Sequence, residues 1–127
     1  MLARLGRALG FLVVFALPAV PSAAAEAELR LVMVEQPGCS YCLRWHDEIG
    51  PIYPKTPEGA AAPLERVLLQ APLPEGIDFE APAVFTPTFV LVRNGTEIGR
   101  IEGYPGEDFF WGLLGRMLES AGNKVTP

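Results

Sequence analysis

Basic residues are scarce in this 127-residue chain: ten Lys and Arg stand against fifteen Asp and Glu, and the net charge is −5. The basic residues form no cluster, which excludes nucleic acid and an anionic membrane surface as main partners, since both are gripped by grouped positive charge. Cysteine is scarcer still, and two residues cannot build a multi-disulfide scaffold. Proline and glycine, thirteen of each, imply many turns and short elements, yet they are too few and too scattered for a collagen-like or disordered chain. Internal repeats and low-complexity segments are lacking. The length allows one domain, because a domain needs on the order of 100 residues or more. What is left is a small, acidic globular domain, half of its residues hydrophobic.

The first 25 residues read as an address. Arg4 and Arg7 precede the apolar run Ala8 to Leu17, which is too short to span a bilayer as a helix. Pro18 and Pro21 follow, and then the small residues Ser22-Ala23-Ala24-Ala25 lead into the acidic Glu26-Ala27-Glu28. This is the three-part layout of a secretory signal peptide, with cleavage expected after Ala25 and no lipobox cysteine. The expected organisation is a signal peptide at 1–25 and one domain at 26–127. Cleavage removes two arginines and no acid, taking the net charge from −5 to −7. Export places the cysteines in an oxidising compartment, the periplasm if the bacterial cast of the sequence is followed.

In the remaining chain, Leu29 to Val34 is a short apolar run of the kind found in strands buried on both faces. The segment Cys39 to Ile49 has helix-forming residues and stops at Gly50-Pro51. Prolines 51, 54, 57 and 63 mark an irregular connection with room for one helical turn around Glu58 to Ala62. Glu65 to Gln70 is short and ends at proline, which favours a strand over a helix. Residues 71–83 read as a loop. Thr88 to Arg93 and Thr96 to Ile101 flank Asn94-Gly95, a hairpin signal. The stretch Glu107 to Ser120 is an amphipathic helix with Phe110, Leu113, Leu114, Met117 and Leu118 on one stripe.

Both cysteines lie in a single Cys39-Ser40-Tyr41-Cys42, at the end of a strand and the start of a helix. A thiolate in the first helical turn is stabilised by unpaired backbone N–H groups and the positive end of the helix dipole. Cys39 is therefore expected to have a lowered pKa and to attack, while Cys42, one turn inside, resolves the mixed disulfide. Zinc sites and structural disulfides also use this spacing. A structural zinc needs four ligands, and beyond the cysteines only His46 and carboxylates are on offer. A haem attachment site needs histidine where Leu43 stands. As a structural staple, so short a loop removes little unfolded-state entropy. Phe85-Thr86-Pro87-Thr88 then places a proline at the start of a strand, which suits a cis-proline loop packed beside the reactive pair.

Strand, C-x-x-C helix, strand, Thr-Pro, hairpin and final helix, in that order, resemble the thioredoxin superfamily across the whole domain. The resemblance implies a minimal α/β thioredoxin fold: a central mixed sheet of about four strands with flanking helices, and the C-x-x-C at the N-terminus of the first helix. Pro37-Gly38-Cys39-Ser40-Tyr41-Cys42, Trp45-His46, Gly50 to Thr56, Ala62 to Val67 and Thr86 to Phe89 are more specific. They resemble the periplasmic thioredoxin-like proteins of bacterial sulfur-oxidation (Sox) systems. That likeness implies an oxidoreductase that keeps the sulfur-carrier complex SoxYZ reduced, with a membrane thiol-electron transporter as its own reductant and the Cys39–Cys42 disulfide in place of any cofactor or metal. Two departures from ordinary thioredoxins stand out. Ser40-Tyr41 replaces their Gly-Pro, and Met33 occupies the position of their buried aspartate, so proton handling for Cys42 must come from elsewhere.

Glu35, near the cysteine loop, is the candidate proton acceptor. Tyr41 must be partly exposed if Cys39 is to meet a protein. Trp45, Thr86 and Pro87 extend the expected substrate-binding surface, Thr86 offering its backbone to an extended segment, and the resemblance implies that Gly103 and Tyr104 lie on the same face. The expected state is a monomer. Two other readings stand beside this one: a general thiol oxidase or isomerase of the Dsb kind, and a copper-binding chaperone using Cys39, Cys42 and His46.

Overall fold

A computed structural model describes residues 27–125, so the expected signal peptide at 1–25 lies outside the described residues. The elements run β1 (Leu29–Glu35), α1 (Ser40–Glu48), a 3-10 turn (Tyr53–Lys55), α2 (Pro57–Ala61), β2 (Leu64–Leu68), β3 (Thr88–Arg93), β4 (Thr96–Glu102) and α3 (Glu107–Ser120). The sheet order is β2-β1-β3-β4. β1 pairs with β2 in parallel, while β1 with β3 and β3 with β4 are antiparallel.

Alternation along the two central strands divides the core in two, because successive side chains point to opposite faces. Leu29, Leu31 and Met33 of β1 and Phe89 and Leu91 of β3 pack against Trp45 of α1, Ile49 at its C-terminal cap, and Phe110, Leu114 and Leu118 of α3. Leu113 and Met117 lie at the edges of that helical stripe, partly buried against the same cluster. On the opposite face, Val32, Val34, Val90 and Val92 pack with Val67 of β2 and with Ile77.

No helix among the described residues covers that second face; Leu69, Ile77, Phe79 and Ala83 do so from the connection between β2 and β3. What reads in the sequence as a plain loop is thus a wall of the core. It is pinned to the β3–β4 hairpin: the Asp78 N–H donates to the Gly95 carbonyl at 2.8 Å and the Glu97 N–H to the Asp78 carbonyl at 3.1 Å. The Arg100 side chain donates to both Glu97 carboxylate oxygens, at 2.6 and 2.7 Å, and to the Ala81 carbonyl at 2.6 Å. Gly95 is required at the turn, with φ +86° and a hypothetical Cβ only 1.7 Å from the Gly76 carbonyl oxygen.

Candidate active site

The first N–H groups of any helix need acceptors from outside it. At α1 the N-cap is Cys39, with extended backbone (φ −76°, ψ 103°), and its sulfur accepts the Cys42 N–H at 3.1 Å. Gly38 ahead of it takes φ +77°, a left-handed conformation that a residue with a Cβ adopts at a cost. The capping geometry carries the first cysteine out of the helix and leaves the second inside its first turn. Cys39 and Cys42 are joined as a disulfide with their Cα atoms 5.2 Å apart. The two sulfurs are not equivalent, because Cys42 is 3% exposed and belongs to the core while Cys39 is half-buried and opens to solvent.

Behind the disulfide lies a cavity of about 230 Å³ whose wall includes Cys39, Cys42, Glu35, His46 and Arg66. Glu35, the last residue of β1, is buried there with both oxygens engaged. Its Oε1 accepts from Arg66 Nε at 2.9 Å and Nη2 at 2.5 Å, and its Oε2 lies 2.6 Å from His46 Nε2. Burial alone would raise the Glu35 carboxyl, but the hydrogen bonds to His46 and Arg66 and the Arg66 charge outweigh it and hold the group below the usual carboxylate range. Glu35 therefore stands near the cysteines with both of its oxygens already engaged by Arg66 and His46.

The Thr86-Pro87 bond is cis. Gln36 Nε2 donates to Thr86 Oγ1 at 2.9 Å, tying the cysteine loop to the proline loop, and the Gly103 N–H donates to the Pro87 carbonyl at 2.7 Å. Tyr41, Thr86, Gly103 and Tyr104 line one open depression together with Glu102 and Pro105. Pro87 is buried beneath that surface. Tyr104 is almost wholly buried: its hydroxyl donates to Glu48 Oε2 at 2.5 Å, and the Arg44 guanidinium, itself on Glu48 at 2.8 Å, lies 5.7 Å from the ring centroid. Burial first, and then the bond to Glu48, push the Tyr104 phenol above its ordinary value, while the Tyr104 and Arg44 hydrogen bonds hold Glu48 below its own.

Trp45 is not part of this surface, which corrects the expectation that it contacts substrate. It is fully buried, with ring centroids 5.3 Å from Phe89, 5.7 Å from Phe110 and 6.0 Å from Tyr53. The reason is helical spacing: Cys42 and Trp45, three residues apart, share the face of α1 that packs on the sheet.

Sequence reasoning missed Arg66, Gln36 and Glu48. Arg66 comes from β2, 31 residues from Glu35, and only the parallel pairing of β1 with β2 brings them together. Gln36 meets Thr86 across 50 residues. The Arg44–Glu48 pair alone had a local signal, its i,i+4 spacing on α1. His46, offered as a copper ligand, has Nε2 committed to Glu35, and among the described residues no group of three His, Cys, Asp or Glu is arranged around a metal position.

The family model for the thioredoxin-like domain matches residues 18–118. The periplasmic thioredoxin SoxS from Paracoccus pantotrophus, solved in its reduced form, is 57% identical, with a TM-score of 0.73 over 74% of this chain and 99% of that one. A thioredoxin from Malassezia sympodialis aligns at 22% identity over 71% of this chain and 75% of that one, with a TM-score of 0.48. No curated protein matches the chain. The half-open sulfur at a helix N-terminus, the cis-proline loop latched beside it and a family match that runs from before β1 to residue 118, two residues short of the end of α3, converge: the chain belongs to the thioredoxin-like family, and it is a thiol–disulfide oxidoreductase working through the Cys39–Cys42 disulfide.

Proposed function

We propose that the protein is an exported periplasmic reductase of a protein thiol, in which Cys39 attacks and Cys42 resolves. The observation that carries the division of labour is the asymmetry of the two sulfurs: only Cys39 opens to a partner, while Cys42 sits one helical turn inside the core. A reduced Cys39 thiolate attacks the partner's disulfide or blocked thiol, forming a mixed disulfide and releasing one sulfur. Cys42 then attacks Cys39, restoring the internal disulfide and freeing the second sulfur. Tyr41, Thr86, Gly103 and Tyr104 form the docking surface, with cis Pro87 beneath it setting the course of the loop and the Thr86 backbone presented to an extended segment. Tyr41 and Phe85, 57% and 60% exposed, add apolar contact area around the reactive sulfur.

The partner in this reading is the Sox sulfur carrier SoxYZ, the reductant is a membrane thiol-electron transporter, and the protein acts as a monomer. Support comes from the resemblance of the Cys39–Cys42 region to the Sox-system proteins and from the 57% identity to a periplasmic thioredoxin. The signal peptide at 1–25 is cleaved after Ala25, which N-terminal sequencing of the exported protein checks.

Trapping tests the whole reading. A Cys42→Ser variant lacks the resolver, so Cys39 stays bonded to whatever it attacks. Purified from its native periplasm and run on non-reducing gels, it should carry one dominant adduct containing a sulfur-carrier subunit. A ladder of many proteins would move the reading to a general Dsb-like role. No adduct from a free and reactive Cys39 would sink the exchange mechanism.

A further inference from the structure

Resolution requires Cys42 to lose a proton inside the core, and its surroundings on the sheet side are apolar: Met33, Trp45 and Phe89 belong to the same cluster. The cavity behind the disulfide, which Cys42 also lines, brings polar and charged groups to it. Besides the cysteines, the titratable or charged groups there are Glu35 from β1, Arg66 from β2 and His46 from α1, accompanied by Gln36, Leu43 and Leu68. The Arg66 guanidinium has N–H donors and no acceptor, so it cannot take the proton. Glu35 accepts three hydrogen bonds and is held below the usual carboxylate range, so it is a poor base at neutral pH.

We propose that His46, oriented by Glu35, takes the proton of the Cys42 thiol when the mixed disulfide on Cys39 is resolved. The contact with the Glu35 carboxylate leaves one ring nitrogen for this. Nε2 faces Glu35 Oε2 at 2.6 Å and donates to it, which leaves Nδ1 as the nitrogen that exchanges a proton. Glu35, in turn anchored by Arg66, fixes the tautomer and offsets the charge of the imidazolium that forms, so it is a positioning residue. His46 is partly exposed and can return its proton to solvent. The cavity of about 230 Å³ is large enough to hold a water that connects the ring with the thiol.

The step balances without any further reagent. Before it, Cys39 is bonded to the substrate sulfur and Cys42 is a thiol. His46 Nδ1 takes the Cys42 proton, and the resulting thiolate attacks Cys39 Sγ. The Cys39–Cys42 bond forms and the Cys39–substrate bond breaks. The electron pair leaves on the substrate thiolate, which is protonated from the imidazolium or from solvent. The substrate sulfur is reduced and the protein dithiol is oxidised.

This assignment rests on Cys39 as attacker and Cys42 as resolver, and a two-phase experiment separates the two claims. Reduced protein is mixed with 5,5′-dithiobis(2-nitrobenzoate) in a stopped-flow instrument. The first aromatic thiolate released reports attack by Cys39, and the second reports resolution by Cys42. Cys42→Ser should give the first phase alone, and a missing first phase would refute the attack assignment itself. In His46→Gln the second phase should slow by about 100-fold near neutral pH, a usual size for loss of one acid–base group. Its first phase should stay within about two-fold of wild type, since Cys39 is activated by the helix terminus. The wild-type second-phase rate should level off once His46 is neutral, whereas in His46→Gln it should keep climbing with hydroxide. Glu35→Gln keeps the shape of the acceptor without its charge, and should move the midpoint of the second-phase profile to lower pH. A His46→Gln second phase with wild-type rate and profile overturns the proposal. So does an equal loss in both phases with a lowered melting temperature, which marks a purely structural role.

Discussion

Replacing Trp45 separates a core role from a docking role more cleanly than any other substitution in the domain. Its indole is fully buried between Phe89, Phe110 and Tyr53, directly beneath the disulfide-bearing turn of α1. Truncation to alanine removes that burial and leaves a cavity, a change that costs about 3–5 kcal/mol for a large aromatic. Domains of this kind have about 5–15 kcal/mol in total, and each kcal/mol is worth roughly 4–8 °C, so the melting temperature should fall by about 12–40 °C. The Phe variant should behave differently. Trp45 Nε1 is buried with no hydrogen-bond partner among the described residues, a defect worth about 1–3 kcal/mol that phenylalanine relieves. That relief offsets most of the volume lost, and Trp45→Phe should melt within about 5 °C of wild type. Thermal unfolding followed by circular dichroism gives both numbers, and exchange kinetics below the transition give KM. Should Trp45→Ala melt near wild type while its KM for a protein disulfide rises, the indole reaches substrate and the core assignment is wrong.

Arg100→Met should cost about 2–4 kcal/mol at neutral pH, because it leaves the buried Glu97 carboxylate with the Glu80 N–H but no cation and releases the Ala81 carbonyl; urea denaturation measures it. The pH dependence has a definite sign. The Arg100 hydrogen bonds hold Glu97 below its ordinary value in the folded protein, so its contribution is present above the unfolded carboxylate range and is lost as pH falls through the folded value. Wild type should therefore lose more stability than Arg100→Met between neutral and acid pH, and parallel curves would contradict the clamp. Gly95→Ala should destabilise by about 2 kcal/mol or more and speed amide exchange at Asp78, since the new Cβ meets the Gly76 carbonyl at a left-handed φ. Tyr104→Phe should raise the Glu48 titration measured by carboxyl NMR and weaken docking through KM, because it unties the β4–α3 turn from α1; an unmoved Glu48 would count against that tie.

The elements that depend on local pattern were legible before any coordinates. The apolar run of β1, the Asn94-Gly95 hairpin and the stripe of α3 stand where their periodicities put them, and the helix from Glu107 to Ser120 has the expected bounds. Short-range chemistry was equally readable. A C-x-x-C at a strand-to-helix junction becomes an N-cap cysteine with its partner three residues inside, because helix geometry alone relates those positions. The Tyr41–Thr86–Gly103–Tyr104 grouping was reached through family likeness, since no local rule connects a helix turn with loops 45 and 62 residues further along.

What only the tertiary structure decided are the contacts between residues far apart in sequence. Burial of Trp45 followed from which face of α1 met the sheet. The wall that residues 69–87 build against Val32, Val34, Val90 and Val92 carries no periodic signal, because an irregular segment covers a sheet by scattered side chains such as Ile77 and Phe79. The Glu35–His46–Arg66 cluster joins three elements at a point where none of their sequences hints at the others. Local sequence dictates backbone conformation through steric and hydrogen-bonding preferences of a few neighbouring residues. The proton chemistry beside Cys42 depends on charge, burial and distance summed over groups that only the packed sheet assembles, and those quantities exist in the fold alone.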